Sequence, residues 1–327
     1  MTQTNTHFTA NPKTVSVAMA TYNGSRFILE QLESIVNQTC KPQEIVICDD
    51  CSVDETVALV TSFITKHPDA GITLVRNEKN LGYQKNFEKA IKLCRSEYIA
   101  LCDQDDIWIP AKLETLLEQI GDNCMIHSDA ALIDENNKII HESFTRIYRK
   151  KTLPTFTDLL LCPYITGCTM LFRKDLLKDT TIIPGKIPHD YFLSLLVPSG
   201  KIAYCGEPLV LYRQHGGNLI GASHTKRPVT IFKRSWIKDL LFPARYFRKF
   251  FKNRKTFLDF VYTALYVDLI PESQAVLDEL LLFFDLEKSR GLPRSEFHKL
   301  YDKYQSSFRL SRSKRVLFYM ISLLGLF

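Results

Sequence analysis

The chain has 327 residues, 45% hydrophobic and 24% charged, enough for one large domain with an appendage or for two domains. Its net charge of +6 is uneven: residues 226–327 hold 20 Lys and Arg against 10 Asp and Glu, whereas the residues before them hold 22 against 26. No apolar run reaches the ~20 residues of a membrane span, the polar stretch Met1 to Lys13 lacks a signal-peptide layout, and nine cysteines without paired ligand spacing read as reduced thiols in a cytosolic protein.

Thr14 to Ala20 alternates and is rich in Val, which predicts a first strand. A turn, Thr21-Tyr22-Asn23-Gly24-Ser25, leads to a helix with Ile28, Leu32, Ile35 and Val36 on one face. Glu44 to Cys48 reads as a second strand ending in Asp49-Asp50-Cys51-Ser52, and Asp54 as the N-cap of the next helix. Ile72 to Val75 is a third strand, Asn77 to Gly82 a loop, and Tyr83 to Cys94 a helix burying Phe87, Ala90, Ile91 and Cys94. Tyr98 to Cys102 is a fourth strand. Pro110 opens a helix carrying Leu113, Leu116, Leu117 and Ile120, and Met125 to Ser128 is a short strand. Four successive strand–helix units imply a mostly parallel sheet covered on both faces.

The second half is less regular. Thr166 to Phe172 reads as a turn feeding a buried strand, and His189-Asp190 opens a short apolar helix. Lys201 to Cys205 and Leu209 to Arg213 read as two strands, followed by the glycine-rich turn Gln214-His215-Gly216-Gly217-Asn218.

The chemistry concentrates at strand C-terminal ends, where open α/β sheets bind ligands. The fourth strand ends in Asp103-Gln104-Asp105-Asp106. Carboxylates held together repel unless a positive charge lies among them. A hard divalent cation carrying substrate phosphates uses one or two such groups. Asp103 and Asp105 therefore point to a metal–diphosphate site for Mg²⁺ or Mn²⁺; the other reading is a solvated acidic turn before a helix. No Gly-x-Gly-x-x-Gly and no Gly-Lys-Ser/Thr loop occurs, which argues against a dinucleotide fold or a P-loop.

In this order the pieces resemble the family 2 glycosyltransferases, over about Thr14 to Ile220. Val17 to Gly24 looks like the family's opening strand and nucleotide loop, Glu44 to Thr56 its acidic second strand end, and Asn80 to Asn86 its Asn-x-Gly loop. Asp103-Gln104-Asp105 is similar to its metal-binding Asp-x-Asp, and Thr166-Gly167 and His189-Asp190 to its acceptor-side and catalytic motifs. Asp-Gln-Asp-Asp-Ile-Trp and Tyr212 to Asn218 look most like the rhamnosyltransferase-type branch that builds bacterial surface polysaccharides.

The resemblance implies a GT-A fold, a Rossmann-like, mostly parallel sheet flanked by helices. It also implies an inverting transfer of a sugar from a nucleotide-diphosphate donor, dTDP-rhamnose or a UDP-sugar, to a saccharide or lipid-linked acceptor. Asp190 would be the general base. Thr21, Tyr22, Asn23, Asp49, Asp50, Asn80, Gly82, Asp103 and Gln104 would hold the nucleotide sugar. Trp108, Thr166, Gly167 and His189 would lie on the acceptor side, with a buried core role equally open for Trp108. Asp103, Asp105 and His215 would face the metal, with a purely structural role also open for His215; Asp106 is open between the site and a helix cap. Many relatives have Glu-Asp where this chain has His189-Asp190. The Gln-x-x-Arg-Trp motif of processive relatives is missing, which favours transfer of a single sugar.

The expected division is a catalytic domain over 1–225 and a basic, amphipathic helical extension over 226–327. From Val229 the pattern is helical, broken at Pro243; a second helical stretch carries Val276, Leu280, Leu281 and Phe284. The run from Arg312 to Phe327 suits an anchor at a membrane surface with basic flanks. It equally suits a helical subdomain packed on the body or on a second copy, as in a homo-oligomer. The location expected is cytoplasmic, peripheral on the inner face of the plasma membrane. Two other functions compete. A nucleic-acid-binding protein fits the basic, aromatic tail but leaves the acidic strand ends unexplained, so no nucleic-acid partner is expected. A sugar-phosphate nucleotidyltransferase also pairs acids with a metal.

Overall fold

Val15, Val17 and Met19 alternate along a strand whose partners are equally apolar, so one sheet collects them. The computed structural model describes residues 13–148, 152–161, 165–178, 183, 188–216, 255, 258–259, 261, 269, 271–285 and 294–304. The helix expected from Val229, its break at Pro243 and the terminal run 312–327 lie outside these residues, as do residues 1–12.

The chain divides into two units. The first comprises Met1–Tyr148, Thr166–His189 and Ala203–Arg213. It opens with β1 (Val15–Thr21), α1 (Ile28–Val36), β2 (Glu44–Asp49), α2 (Thr56–Lys66), β3 (Ile72–Arg76), α3 (Tyr83–Leu93) and β4 (Tyr98–Cys102). There follow β5 (Ile107–Trp108), α4 (Lys112–Gln119), β6 (Met125–Ile133), β7 (Ile139–His141) and α5 (Phe144–Tyr148). Then come β8 (Met170–Arg173) and β9 (Ile202–Arg213).

The sheet runs β3-β2-β1-β4-β8-β6-β9-β5, with β7 beside β6. The strands β3, β2, β1 and β4 are parallel, as the strand–helix alternation requires. Beyond β4 the sheet turns antiparallel: β8 runs against β4 and β6 against β8. Ile28, Leu32 and Ile35 of α1 and Leu113, Leu116 and Leu117 of α4 are buried in the same core as the strands. Full burial of one such side chain contributes about 1.5–3 kcal/mol.

Three expectations shift. The two strands expected over 201–213 are one 12-residue strand, β9, because Gly206 and Pro208 do not interrupt its extended backbone. The strand at Met125 continues to Ile133, since Ser128 and Asp129 are buried and hydrogen-bonded within it. Asp54 caps α2 from outside the helix, its carboxylate accepting the N–H of Thr56, while Glu55 holds the N-cap position.

The second unit comprises Arg149–Ile165, Asp190–Ile202 and Gln214–Phe327. It contains α6 (Phe156–Leu161), most of α7 (His189–Leu196), α8 (Pro271–Phe284) and α9 (Arg294–Tyr304). Pro271 suits a first helical position, where no N–H is needed. α8 packs against α6 and α9 through buried Leu277, Leu280 and Phe284, with Tyr301 and Tyr304 buried on α9. Glu279 accepts hydrogen bonds from Lys303, at 2.6 Å, and from the Tyr304 hydroxyl. Val276 and Leu281, expected on the buried face of α8, are only partly buried. No helix among the described residues is long and apolar enough to cross a membrane.

Candidate active site

Parallel register brings the acidic loops together. Thr21 at the end of β1 lies opposite Asp49 at the end of β2, and Met19 lies opposite Cys102 at the end of β4. The segments after β1, β2 and β4 therefore emerge side by side at one edge of the sheet.

The first two are laced to each other. Asn23 N–H donates to Ser52 Oγ at 2.9 Å, Val53 N–H to Asn23 Oδ1 at 2.9 Å, and Gly24 N–H to Thr56 Oγ1 at 2.8 Å. Ser25 N–H donates to Asp54 Oδ2 at 3.1 Å. Burial opposes ionisation of Asp54, but hydrogen bonds from Thr56 and Ser25 outweigh it and hold its carboxyl below the usual range. Asn23 and Cys51 have φ of 49° and 65°, left-handed turns that let both loops double back.

Asp49 and Asp50 are buried, and both serve the loops. Asp49 accepts from Thr21 Oγ1, Ser52 N–H and Ser52 Oγ. Asp50 accepts from Asn77 Nδ2 at 2.8 Å, Leu81 N–H at 2.7 Å and Gly82 N–H at 2.8 Å. Three acceptances each leave about one of the four lone-pair sites of a carboxylate for a ligand. Asn80 donates to the Asp50 main-chain oxygen at 3.0 Å, and Gly82, at φ 81°, takes a conformation that a side chain would strain. Tyr22 is 50% exposed, so its ring is not a core element.

The third loop carries Asp103 and Asp105, both half-buried, with Gln104 between them turned back onto Tyr22. Asp106 points inward. It is fully buried, and one oxygen accepts Arg213 N–H at 3.0 Å. Burial first, and then the charges of Asp105 and Asp103, push its carboxyl well above the usual range. It is not a helix cap.

Among the described residues, one trio of candidate metal ligands gathers: Asp103, Asp106 and Cys168, with ligand atoms within 4.8 Å of one another. Burial also pushes the Cys168 thiol well up. A hard divalent cation prefers oxygen ligands and retained water. The half-buried carboxylates Asp103 and Asp105 fit that requirement, whereas the Cys168 thiol does not.

Two buried cations stand behind the loop. Lys112 donates to the Cys168 main-chain oxygen at 2.7 Å and lies 3.3 Å from the centre of the Trp108 ring. Burial lowers its pKa to about 8. Arg213, also fully buried, reaches Asp105, Asn137 and Glu30. Trp108 itself is 2% exposed within the core, the alternative to an acceptor-facing position.

Thr166 and Gly167 start the tight turn into β8, where Thr169 donates to the Thr166 main-chain oxygen at 3.0 Å. His189 is buried against Phe87, ring centres 3.9 Å apart and stacked, with Tyr83 at its edge. In the second unit, Asp190 is half-buried in the first turn of α7 and accepts Tyr191 N–H at 2.7 Å. His215, half-buried, follows β9 by two residues.

Sequence reasoning gave no role to Asn77 and Lys112, and named Asn86 and Arg213 only inside longer motifs. Asn86 bridges Asn77 and the Cys48 main-chain oxygen at 2.9 and 2.7 Å. For Lys112 a signal existed: it shares a helical face with Leu116, four residues on, so a lysine sat on an apolar stripe.

Residues 16–181 match the family model described as "Glycosyl transferase family 2". The dTDP-rhamnosyl transferase RfbG of Shigella flexneri is 31% identical over 63% of this chain and 74% of its own length. An Escherichia coli enzyme, UDP-Glc:alpha-D-GlcNAc-diphosphoundecaprenol beta-1,3-glucosyltransferase WfaP, is 27% identical over 63% of this chain and 79% of its own. Among solved structures, TarS 1-349 of S. aureus in complex with UDP-GlcNAc superposes with a TM-score of 0.54 at 17% identity, covering 90% of this chain and 89% of that one. The mannosyltransferase PcManGT of Pyrobaculum calidifontis, in complex with GDP-Man and Mn2+, gives 0.51 at 16% identity, covering 96% and 80%. The structural likenesses give the fold, the GT-A arrangement.

Proposed function

This chain belongs to glycosyltransferase family 2, and from that premise we propose a metal-dependent, inverting enzyme that moves one sugar from a nucleotide-diphosphate donor to a saccharide or lipid-linked acceptor. The observation that carries the reading is the convergence of the Tyr22, Asp50 and Asp103–Asp105 segments at the C-terminal ends of β1, β2 and β4. The names of RfbG and WfaP support a dTDP-rhamnose or UDP-sugar donor, and the diphosphoundecaprenol in the second supports a lipid-linked acceptor in polysaccharide synthesis.

Exposed Tyr22 offers a ring face for the base, and the remaining acceptor sites of Asp49 and Asp50 suit its N–H edge. Asp103 and Asp105, with His215, would hold Mg²⁺ or Mn²⁺. When bound, such an ion neutralises charge gathering on the leaving diphosphate. Asp190 takes the proton from the attacking acceptor hydroxyl, and a single displacement with one base inverts the anomeric centre. No second carboxylate is assigned as a covalent nucleophile. His189 stacks on Phe87 with Tyr83 at its edge. Residues 1–225 would form the catalytic domain, and the basic extension 226–327 would hold it at the inner membrane face.

The test is a thermal-shift and transfer panel of dTDP-rhamnose, UDP-glucose, UDP-GlcNAc and GDP-mannose, with and without Mn²⁺. A metal-dependent rise in melting temperature with at least one donor, and release of its nucleoside diphosphate on adding lipid extract, supports the reading. Pyrophosphate release from a sugar phosphate and a nucleoside triphosphate favours a nucleotidyltransferase instead.

A further inference from the structure

The residue between the two outer acids makes no use of its amide in its own loop. Gln104 Oε1 accepts Tyr22 N–H at 2.8 Å, and Gln104 Nε2 donates to the Tyr22 main-chain oxygen at 3.0 Å. One side-chain amide thus pairs both main-chain groups of one residue, as a strand partner would. The residues it joins are 82 positions apart in sequence.

Gly24 leaves room for this bridge. A Cβ built there would lie 2.2 Å from Gln104 Oε1 and 2.5 Å from its amide carbon. Gly24 shows no positive φ, so its lack of a side chain serves space and not backbone freedom. The three positions form one device: Tyr22 presents the main chain, Gln104 grips it, and Gly24 makes way.

The bridge is solvent-exposed and made of neutral groups, so each hydrogen bond is worth little beyond thermal energy. It forms and breaks readily, and whatever orders either loop favours the joined state. Resting on the glycosyltransferase reading, we infer that Gln104 is a positioning residue, a latch that couples nucleobase binding at Tyr22 to cation binding at Asp103 and Asp105. A base stacked on Tyr22 fixes the first loop. That fixes Gln104, and through its neighbours the pair of acids. Coupling of this kind is reciprocal: a cation on the acids tightens the base site by the same factor.

A nucleoside tests this cleanly. Uridine or thymidine can occupy the base site but has no diphosphate, so it makes no direct bridge to the cation. Mn²⁺ binding to the full chain is followed by the paramagnetic resonance of the free ion, with and without uridine or thymidine. In the wild type one nucleoside tightens Mn²⁺ binding by about fivefold or more. Q104A abolishes the coupling: uridine or thymidine no longer changes the Mn²⁺ affinity of the variant, whatever its affinity for each alone. G24A, which expels the amide without removing it, does the same, and the double variant Q104A/G24A adds nothing further.

Independent binding of Mn²⁺ and both nucleosides in the wild type overturns the latch, as does coupling that survives in Q104A. If Gln104 instead contacts the donor sugar, Q104A weakens UDP-glucose or dTDP-rhamnose but spares the nucleoside–Mn²⁺ coupling, which also overturns it. A full chain that takes up none of UDP, GDP and dTDP with Mn²⁺ overturns the glycosyltransferase reading and the latch with it. Binding of a diphosphate without nucleoside–Mn²⁺ coupling overturns the latch alone.

Discussion

Arg213 donates from Nε to the main-chain oxygen of Asp105, 2.7 Å away. The same guanidinium reaches Glu30 on α1 at 2.6 Å, bonds Asn137 Oδ1, and packs over the Phe27 ring. The Arg213 N–H meanwhile holds Asp106. The last residue of β9 thus braces the acidic loop.

Arg213→Met should therefore cost about 2 kcal/mol, because the Asp105 main-chain oxygen, Asn137 and Glu30 lose one fully buried charged donor at once. Arg213→Lys should recover less than half, since one ammonium cannot reproduce the planar fork. Urea unfolding of the three proteins measures this. Equal stability of wild type and Arg213→Met would show that the brace is energetically idle.

Lys112 gives a pH-dependent stability. Its pKa falls from 10.5 to about 8 through burial. Below pH 8 it is charged whether folded or unfolded, and folding carries the full cost of burying that charge. Between pH 8 and 10.5 the unfolded chain holds a proton that the folded chain has released, so the Lys112 contribution rises with pH. The gap corresponds to about 3 kcal/mol. Subtracting the stability of Lys112→Met from that of wild type at each pH isolates this rise from the cysteines and tyrosines. A flat or falling difference across the window contradicts it.

Asp105 and Asp106 should separate. Asp105→Asn should lose at least about tenfold in Mn²⁺-dependent binding of a nucleoside diphosphate, in keeping with a charged oxygen ligand of a hard cation made neutral. Asp106→Asn should keep that binding and its stability near neutral pH, because the carboxyl of Asp106 is already pushed toward its protonated form. Calorimetry with UDP or dTDP decides, and a reversed order of losses would move the metal ligand inward.

Asp190→Asn is nearly isosteric and retains an oxygen for the Tyr191 N–H, so α7 should keep its first turn. It cannot accept a proton. Donor binding should persist while transfer falls by at least ~10²-fold. Near-normal turnover in the variant would remove Asp190 from the base role.

The basic extension should bind anionic liposomes in the full chain, more weakly at high salt, and deletion of Val316 to Phe327 should reduce it sharply. Nucleotide binding should survive that deletion. Negligible flotation, with a dimer dissociating on deletion, would mark the extension as a packing element.

Periodicity determined much of this protein without coordinates. The four strand–helix units, the parallel order of their strands and the apolar faces of α1, α3 and α4 follow from spacings that a chain can satisfy in few ways. The acids at strand ends were equally legible, because charge after an apolar run belongs at an edge. What each acid does was not. Asp103 and Asp105 stay half-buried, whereas their neighbour Asp106 turns inward onto Arg213, 107 residues away in sequence. Nothing local distinguishes the three carboxylates; only the arrival of β9 beside β5 supplies the N–H that draws one of them in. The grip of Gln104 on Tyr22 and the burial of Lys112 against Trp108 have the same origin. Hydrogen bonds and burial between distant segments depend on register and loop geometry, which periodicity does not encode, so the tertiary structure alone decided them.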